Sequence, residues 1–177
     1  MTRDETVFTG KNFRVARRTA GTGAESPRDY EVVVHPGAAV ILPVLDDGRV
    51  LLIHNHRVAV GQELLELPAG TLDDGEAPAA CAVRELAEET GYRAGRLRPL
   101  TSFFTSPGIL TERIHAFLAT ELTPGATAHE AGEQIRPAPL TLAEALQAIR
   151  DGRICDAKTI LTLLYYERFV RNGGTAT

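Results

Sequence analysis

Apolar and polar positions are not spread evenly along this chain. Residues 1–30 are polar and broken by Gly10, Gly21, Gly23 and Pro27, and two short strands are expected there, around Thr6–Phe8 and Asn12–Arg18. From Glu31 the pattern turns to strands. Glu31–His35 is rich in valine, Ala38–Leu45 is continuously apolar, and Val50–His56 opens with four apolar residues. The last two flank Asp46-Asp47-Gly48, a turn sequence that predicts a hairpin. Glu63–Leu67 reads as a further short strand before Pro68. Over Glu76–Thr90 the period becomes helical, and Gly91 is a stop signal. Strands resume near Leu97–Phe104 and Arg113–Thr120, and residues 124–133 read as a Gly- and Ala-rich loop. Thr141 and Glu144 form a capping-box pattern for a helix that ends before Gly152. Asp156 can cap a final helix from Ala157 to about Val170. Strands, one helix, more strands and two helices predict an α+β or α/β sandwich around a mixed sheet.

Composition narrows the picture by exclusion. At 177 residues the chain suits one domain with a substantial core. The formal net charge of −4 gives no bulk attraction to nucleic acid or to an anionic membrane. Any phosphate must therefore be held by local cations or by metal. The acid-bearing N-terminus does not read as a signal peptide, and the longest apolar run, Ala38–Leu45, is too short to span a bilayer. Cys81 and Cys155 lack metal-site spacing and give no disulfide framework, so both read as structural and the cytoplasm is the expected location.

The chemistry concentrates in one helix. At 100° per residue Glu85, Glu88 and Glu89 fall on one stripe, while Ala79, Ala82, Val83, Leu86 and Thr90 are expected to pack on a sheet. Three like charges on a stripe repel, and a hard divalent cation removes that cost. Arg84 sits beside them, placed to orient a glutamate. Gly70 lets the backbone approach closely, which would bring the Ala69 carbonyl to a metal. A bare E-x-x-E-E usually marks a solvated helix face. The wider spacing changes that reading: Gly70, Glu76, Arg84-Glu85, Leu86, Glu88-Glu89, Gly91 and Tyr92 occupy every constrained position of the Nudix box.

The chain thus resembles the Nudix hydrolases. The resemblance implies an α+β fold of the α/β/α sandwich type, a mixed sheet between helices. It also implies cleavage of a nucleoside diphosphate linked to a second group. It runs over roughly residues 31–167. Glu66-Leu67-Pro68-Ala69-Gly70, Pro107 within Ser106-Pro107-Gly108, Glu112 and the Gly152–Thr159 segment resemble the ADP-ribose pyrophosphatase subfamily. On that likeness residues 31–177 are the hydrolase domain. Residues 1–30 are a small N-terminal β extension, a candidate for exchange across a homodimer. In the resembled group Phe8, Phe13 and Tyr30 would be candidates for stacking near an adenosine.

Roles follow from the same likeness. Glu85, Glu89, the Ala69 carbonyl and Glu133 are candidate ligands for Mg²⁺, with Mn²⁺ as an alternative. Arg57, a guanidinium at a strand end, is the candidate phosphate clamp. Glu66, Ser106, Gly108 and Glu112 are further candidate substrate contacts. Arg84 is counted with the catalytic group. The water-activating glutamate stays open among Glu88, Glu130 and Glu133, because Ala131 stands where relatives often carry a second loop acid. His54 and His56 share a strand face, but no third ligand has suitable spacing.

The expected reaction is hydrolysis of ADP-ribose to AMP and ribose 5-phosphate. GDP-mannose and other nucleotide sugars are the rival substrates. A non-catalytic nucleotide sensor is the rival of another class, and it would be expected to have lost box carboxylates.

Overall fold

The computed structural model describes residues 3–21, 26–126 and 135–171. Three sheets and three α-helices make up this part of the chain. Strands β1 (Arg3–Thr9), β2 (Arg14–Ala20) and β3 (Arg28–Val34) form an antiparallel N-terminal sheet. It joins the rest through β3, where Val33 N–H donates to Ile109 O and Thr111 N–H donates to Val33 O.

The central sheet has the order β7-β4-β9-β8. It contains β4 (Ala38–Pro43), β7 (Ala69–Thr71), β8 (Tyr92–Phe104) and β9 (Arg113–Pro124). β4 and β9 run parallel, while the two outer pairings are antiparallel, so the sheet is mixed. A second antiparallel sheet has the order β10-β5-β6, from β5 (Val50–Arg57), β6 (Gln62–Glu66) and β10 (Arg136–Leu140).

The expected hairpin does not form. β4 and β5 enter different sheets and share one bridge, Val44 to Val50. All six residues of β4 and the first four of β5 are buried. A strand buried on both faces belongs inside a layered structure, and here each takes the interior place of its own sheet. β10 was not expected either. Pro137 and Pro139 argue against an interior strand, and β10 lies at a sheet edge, where the missing N–H groups face away from the ladder.

Two apolar clusters lie on opposite faces of β4. Ala39 and Ile41, with Phe117 and Ala119 of β9, pack against Cys81, Ala82 and Leu86 of helix α1 (Pro78–Thr90). Ala38, Val40 and Leu42 pack toward β5, helix α2 (Leu142–Arg150) and helix α3 (Ala157–Tyr166). This is the expected sandwich, with helices on both faces of a mixed sheet. Thr141 caps α2 with a complete capping box, and Asp156 caps α3, which continues as a π-helical turn, Glu167–Arg171. Among the described residues no helix is long and apolar enough to cross a membrane.

Candidate functional site

The chain reaches the site through two short elements. β6 ends at Glu66, and after Leu67-Pro68 the three residues of β7 pair with β4. The loop that follows turns into α1, where Pro78 occupies the first turn and Gly91, at φ 74°, closes the helix in the left-handed conformation. α1 therefore starts at Pro78, later than the periodicity suggests, and Glu76 lies in the loop ahead of it.

The helix presents its faces differently from the sequence expectation. Ala79 and Val83 are exposed, and the buried stripe is Cys81, Ala82, Leu86, Glu89 and Thr90. The acidic stripe thus borders the packed face and is not opposite it. Glu85 lies directly over β7: a Cβ added to Gly70 would fall 1.8 Å from the Glu85 carboxyl carbon. Only glycine leaves room for that carboxylate. Cys81 Sγ lies 3.5 Å from Gly70 O, and burial pushes its thiol up to about 12, so it is an inert packing group.

Arg84 binds the acidic residues together. Its guanidinium donates to both Glu76 oxygens at 3.1 and 2.9 Å, to Glu85, to Glu88 at 3.1 Å and to the Thr71 carbonyl at 3.2 Å. Glu76 also accepts from Asp73 N–H. The Arg84 guanidinium holds the Glu76 carboxyl down at about 2, against some opposing desolvation. The loop, β7 and α1 are fixed to one another through this single arginine.

Glu89 is only 4% exposed and accepts a 2.8 Å hydrogen bond from the Ala69 amide. Burial pushes its carboxyl up to about 8, with the nearby Glu85 and Glu66 charges adding to the rise and the Ala69 N–H and Arg57 opposing it. A carboxylate kept in so little water is costly to ionise unless a cation accompanies it.

A second ionic group lies near Glu89. Glu66 is fully buried, with Arg57 Nη2 2.6 Å from Oε1 and Lys158 Nζ 3.0 Å from Oε2. The Arg57 approach is not aligned as a hydrogen bond, so Oε1 is held by charge proximity alone. Lys158 also lies 2.9 Å from Asp156 Oδ1. The other Asp156 oxygen accepts from the Thr159 amide and hydroxyl, and Thr159 Oγ1 accepts from Leu67 N–H at 2.8 Å. Helix α3 is thereby tied to the end of β6.

Residues of both groups line a cleft of about 760 Å³, within the size range of small-ligand sites. It is lined by Ala69, Gly70, Arg84, Glu85, Glu88 and Glu89, and also by Arg57, Asp156 and Lys158. Glu112 also faces the cleft, accepting from Thr105 Oγ1 at 2.8 Å with His35 nearby.

The placement of the other candidate residues differs from case to case. Glu66, taken as a substrate contact, is buried behind Arg57 and Lys158 because its two oxygens serve those cations. Ser106 and Gly108 sit in an exposed turn outside the cleft lining, where Ser106 O accepts from Ile109 and Leu110 N–H. Glu130 and Glu133 lie outside the described residues. His54 pairs with Glu63 on the neighbouring strand, 3.1 Å away. Lys11 and Asn12, at the β1–β2 turn, line the cleft although no motif marks them.

The donor set suits a hard cation, since Glu85, Glu88 and Glu89 offer only oxygen. Among the described residues no three such groups form a finished cage, and Arg84 engages both Glu85 and Glu88. A cation here would be shared between carboxylates, substrate oxygens and water, the mode Mg²⁺-type ions favour.

A model of the NUDIX domain matches residues 34–162, which include every cleft-lining residue except Lys11 and Asn12. The chain belongs to the NUDIX family. Among curated relatives, this NUDIX chain is 37% identical to an ADP-ribose pyrophosphatase of Bacillus subtilis, over 92% of its own length and 89% of the relative's. It is 35% identical, with the same coverage, to a methanol dehydrogenase activator of Bacillus methanolicus. It is 39% identical to a GDP-mannose pyrophosphatase of Cronobacter sakazakii, over 79% of this chain and 82% of that one. A solved structure described as an ADP compounds hydrolase superposes with a TM-score of 0.84 at 24% identity. It covers 97% of this chain and 94% of its own, which shows the shared fold.

Proposed function

We propose that this NUDIX protein hydrolyses the diphosphate of ADP-ribose to AMP and ribose 5-phosphate, with Mg²⁺ as its metal. The observation that carries this reading is the presence of two features in one cleft. The buried Glu89 and the glycine-seated Glu85 line the same cleft as a preformed cation pair, Arg57 and Lys158. The similarity to an ADP-ribose pyrophosphatase over 92% of the chain supports the choice of substrate.

In this reading the bound metal would neutralise diphosphate charge and make water acidic enough to ionise near neutral pH. Glu85 and Glu89 would hold it, with the Ala69 carbonyl as a further ligand. Arg84 keeps the helix carboxylates in register with β7. Arg57 would orient the diphosphate by its planar fork of donors. A glutamate takes the proton as a water oxygen bonds to one phosphorus and the bridging oxygen departs with the other. Glu88 lines the cleft as one candidate for that base, with Glu130 and Glu133 as the others.

GDP-mannose is the second substrate reading, because several relatives of that specificity align. A panel of ADP-ribose, GDP-mannose, dinucleotide polyphosphates and nucleoside triphosphates, ranked by kcat/KM with Mg²⁺, tests both. Highest efficiency on ADP-ribose is the expected outcome. Preference for a triphosphate contradicts the reading, and binding of ADP-ribose with no Mg²⁺-dependent product indicates a sensor. The protein is further proposed to act in the cytoplasm as a homodimer. Val7, Phe8 and Tyr30 on the N-terminal sheet and Phe13 in its β1–β2 turn are all exposed, which supports a second copy packing there.

A further inference from the structure

We propose that Glu66 is a positioning residue that presets Arg57 and Lys158 as a two-pronged clamp for the substrate diphosphate. This deepens the diphosphate-hydrolase reading above and rests on it.

Three observations carry the inference. First, Glu66 is fully buried and is absent from the cleft lining, so it acts through its neighbours. Second, its two oxygens are divided between two cations, Arg57 at 2.6 Å and Lys158 at 3.0 Å, and both of those cations do line the cleft. One carboxylate thus sets the separation of two positive groups that come from distant parts of the chain. Third, the far end of the clamp is locked as well. Lys158 is shared with Asp156, whose other oxygen caps α3, and Thr159 of the same turn accepts from the amide of Leu67, next to Glu66.

Stability alone is a weak reason for this arrangement. A buried ion pair commonly adds no more than a well-packed apolar substitute of the same volume. Lysine and arginine also have many rotamers, so ordering two of them at the moment of binding costs affinity. Holding them in place beforehand moves that cost into folding. A diphosphate presents several oxygens to two cations at fixed spacing, and guanidinium and ammonium groups both pair with phosphate oxygens.

The test uses the full-length protein with Mg²⁺ and compares wild type, Glu66→Gln and Glu66→Asp. Glutamine keeps the volume, but its amide offers one acceptor and turns a donor toward the other cation. Aspartate keeps the charge and is one methylene short of holding both. For Glu66→Gln, KM is expected to rise by about ten-fold or more while kcat stays within about three-fold, the pattern of lost uniform binding. For Glu66→Asp the KM rise is expected to be smaller, about three-fold, again with kcat kept. The Glu66→Gln effect is also expected to shrink in a Lys158→Met background, because half of its target is already gone. The inference is overturned if either folded variant, judged by its melting temperature, keeps a wild-type KM. It is equally overturned if kcat falls with KM unchanged, or if the effect is the same size with and without Lys158. Should Glu66→Gln fail to fold, the KM of Glu66→Asp decides. Each variant is assayed on ADP-ribose and on GDP-mannose. A wild type that turns over only GDP-mannose removes the ADP-ribose reading and leaves the clamp measurable, since both substrates present a diphosphate.

Discussion

Gly70→Ala separates the fold from the chemistry in one substitution. Gly70 lies in β7 and is not among the residues with positive φ, so the backbone accepts alanine. The difficulty lies above it. The new methyl carbon would stand 1.8 Å from the Glu85 carboxyl, where ordinary contact begins at 3.4 Å. The carboxylate must therefore retreat by 1.6 Å (3.4 minus 1.8) or more. Its side chain is long enough to do so, and alanine also reduces unfolded-state entropy, a gain of about 0.4–1 kcal/mol. The melting temperature is expected to stay near the wild-type value. Catalysis is another matter, because a misplacement on the order of 1 Å can cost about 100-fold, or ~2.7 kcal/mol of barrier. The assay is kcat/KM on ADP-ribose across a Mg²⁺ titration, with thermal unfolding alongside. A fall of about 100-fold with a raised Mg²⁺ requirement and an unchanged fold is the predicted result. Activity within about three-fold of wild type at every Mg²⁺ concentration would refute the placement of Glu85 in the reaction.

Other tests probe the charges around the same helix. Glu89 is held up to about 8 from an ordinary 4.5, so between those values the folded protein binds more protons than the unfolded chain. Without added metal, stability is thus expected to fall as pH rises from about 5 to 8.5, by about 4 kcal/mol, and Glu89→Gln should flatten that slope in thermal melts. Added Mg²⁺ should restore wild-type stability at pH 8.5 and leave Glu89→Gln unmoved. Glu76 behaves in the opposite sense, since Arg84 holds it down at about 2. Its contribution is complete above about 4.5 and is lost as pH falls toward 2, a loss of roughly 2 kcal/mol allowing for the solvent exposure of Arg84, and Glu76→Gln should remove it from acid-unfolding curves. Thr141→Ala removes the side-chain half of the α2 capping box, the Glu144 N–H bond to Thr141 Oγ1, and is expected to cost about 1 kcal/mol in denaturant unfolding with kcat unchanged.

The sequence carried the element order and the box clearly because both are local signals. Helical spacing put Glu85, Glu88 and Glu89 together, and Gly91 ended the helix where expected. Non-local features were harder to see. The turn at Asp46-Asp47-Gly48 gives no hint that β4 and β5 part company, since sheet membership depends on partners distant in the chain. The packed face of α1 was misplaced by part of a turn because alanine and valine are tolerated at the surface, and the buried stripe includes a carboxylate. Glu66 looked like a substrate contact because the E-L-P-A-G run marks it. Only the fold shows Lys158, 92 residues later, on its other oxygen.

The central claim is that α1 and β7 build a metal-dependent diphosphate site. Its most direct test follows products from ADP-ribose with wild type and Glu89→Gln, each with Mg²⁺ and with chelator. AMP and ribose 5-phosphate in equal amounts from the wild type with Mg²⁺, and almost none from the other three mixtures, is the predicted result. Undiminished turnover by Glu89→Gln at limiting Mg²⁺, or by the wild type in chelator, would contradict it.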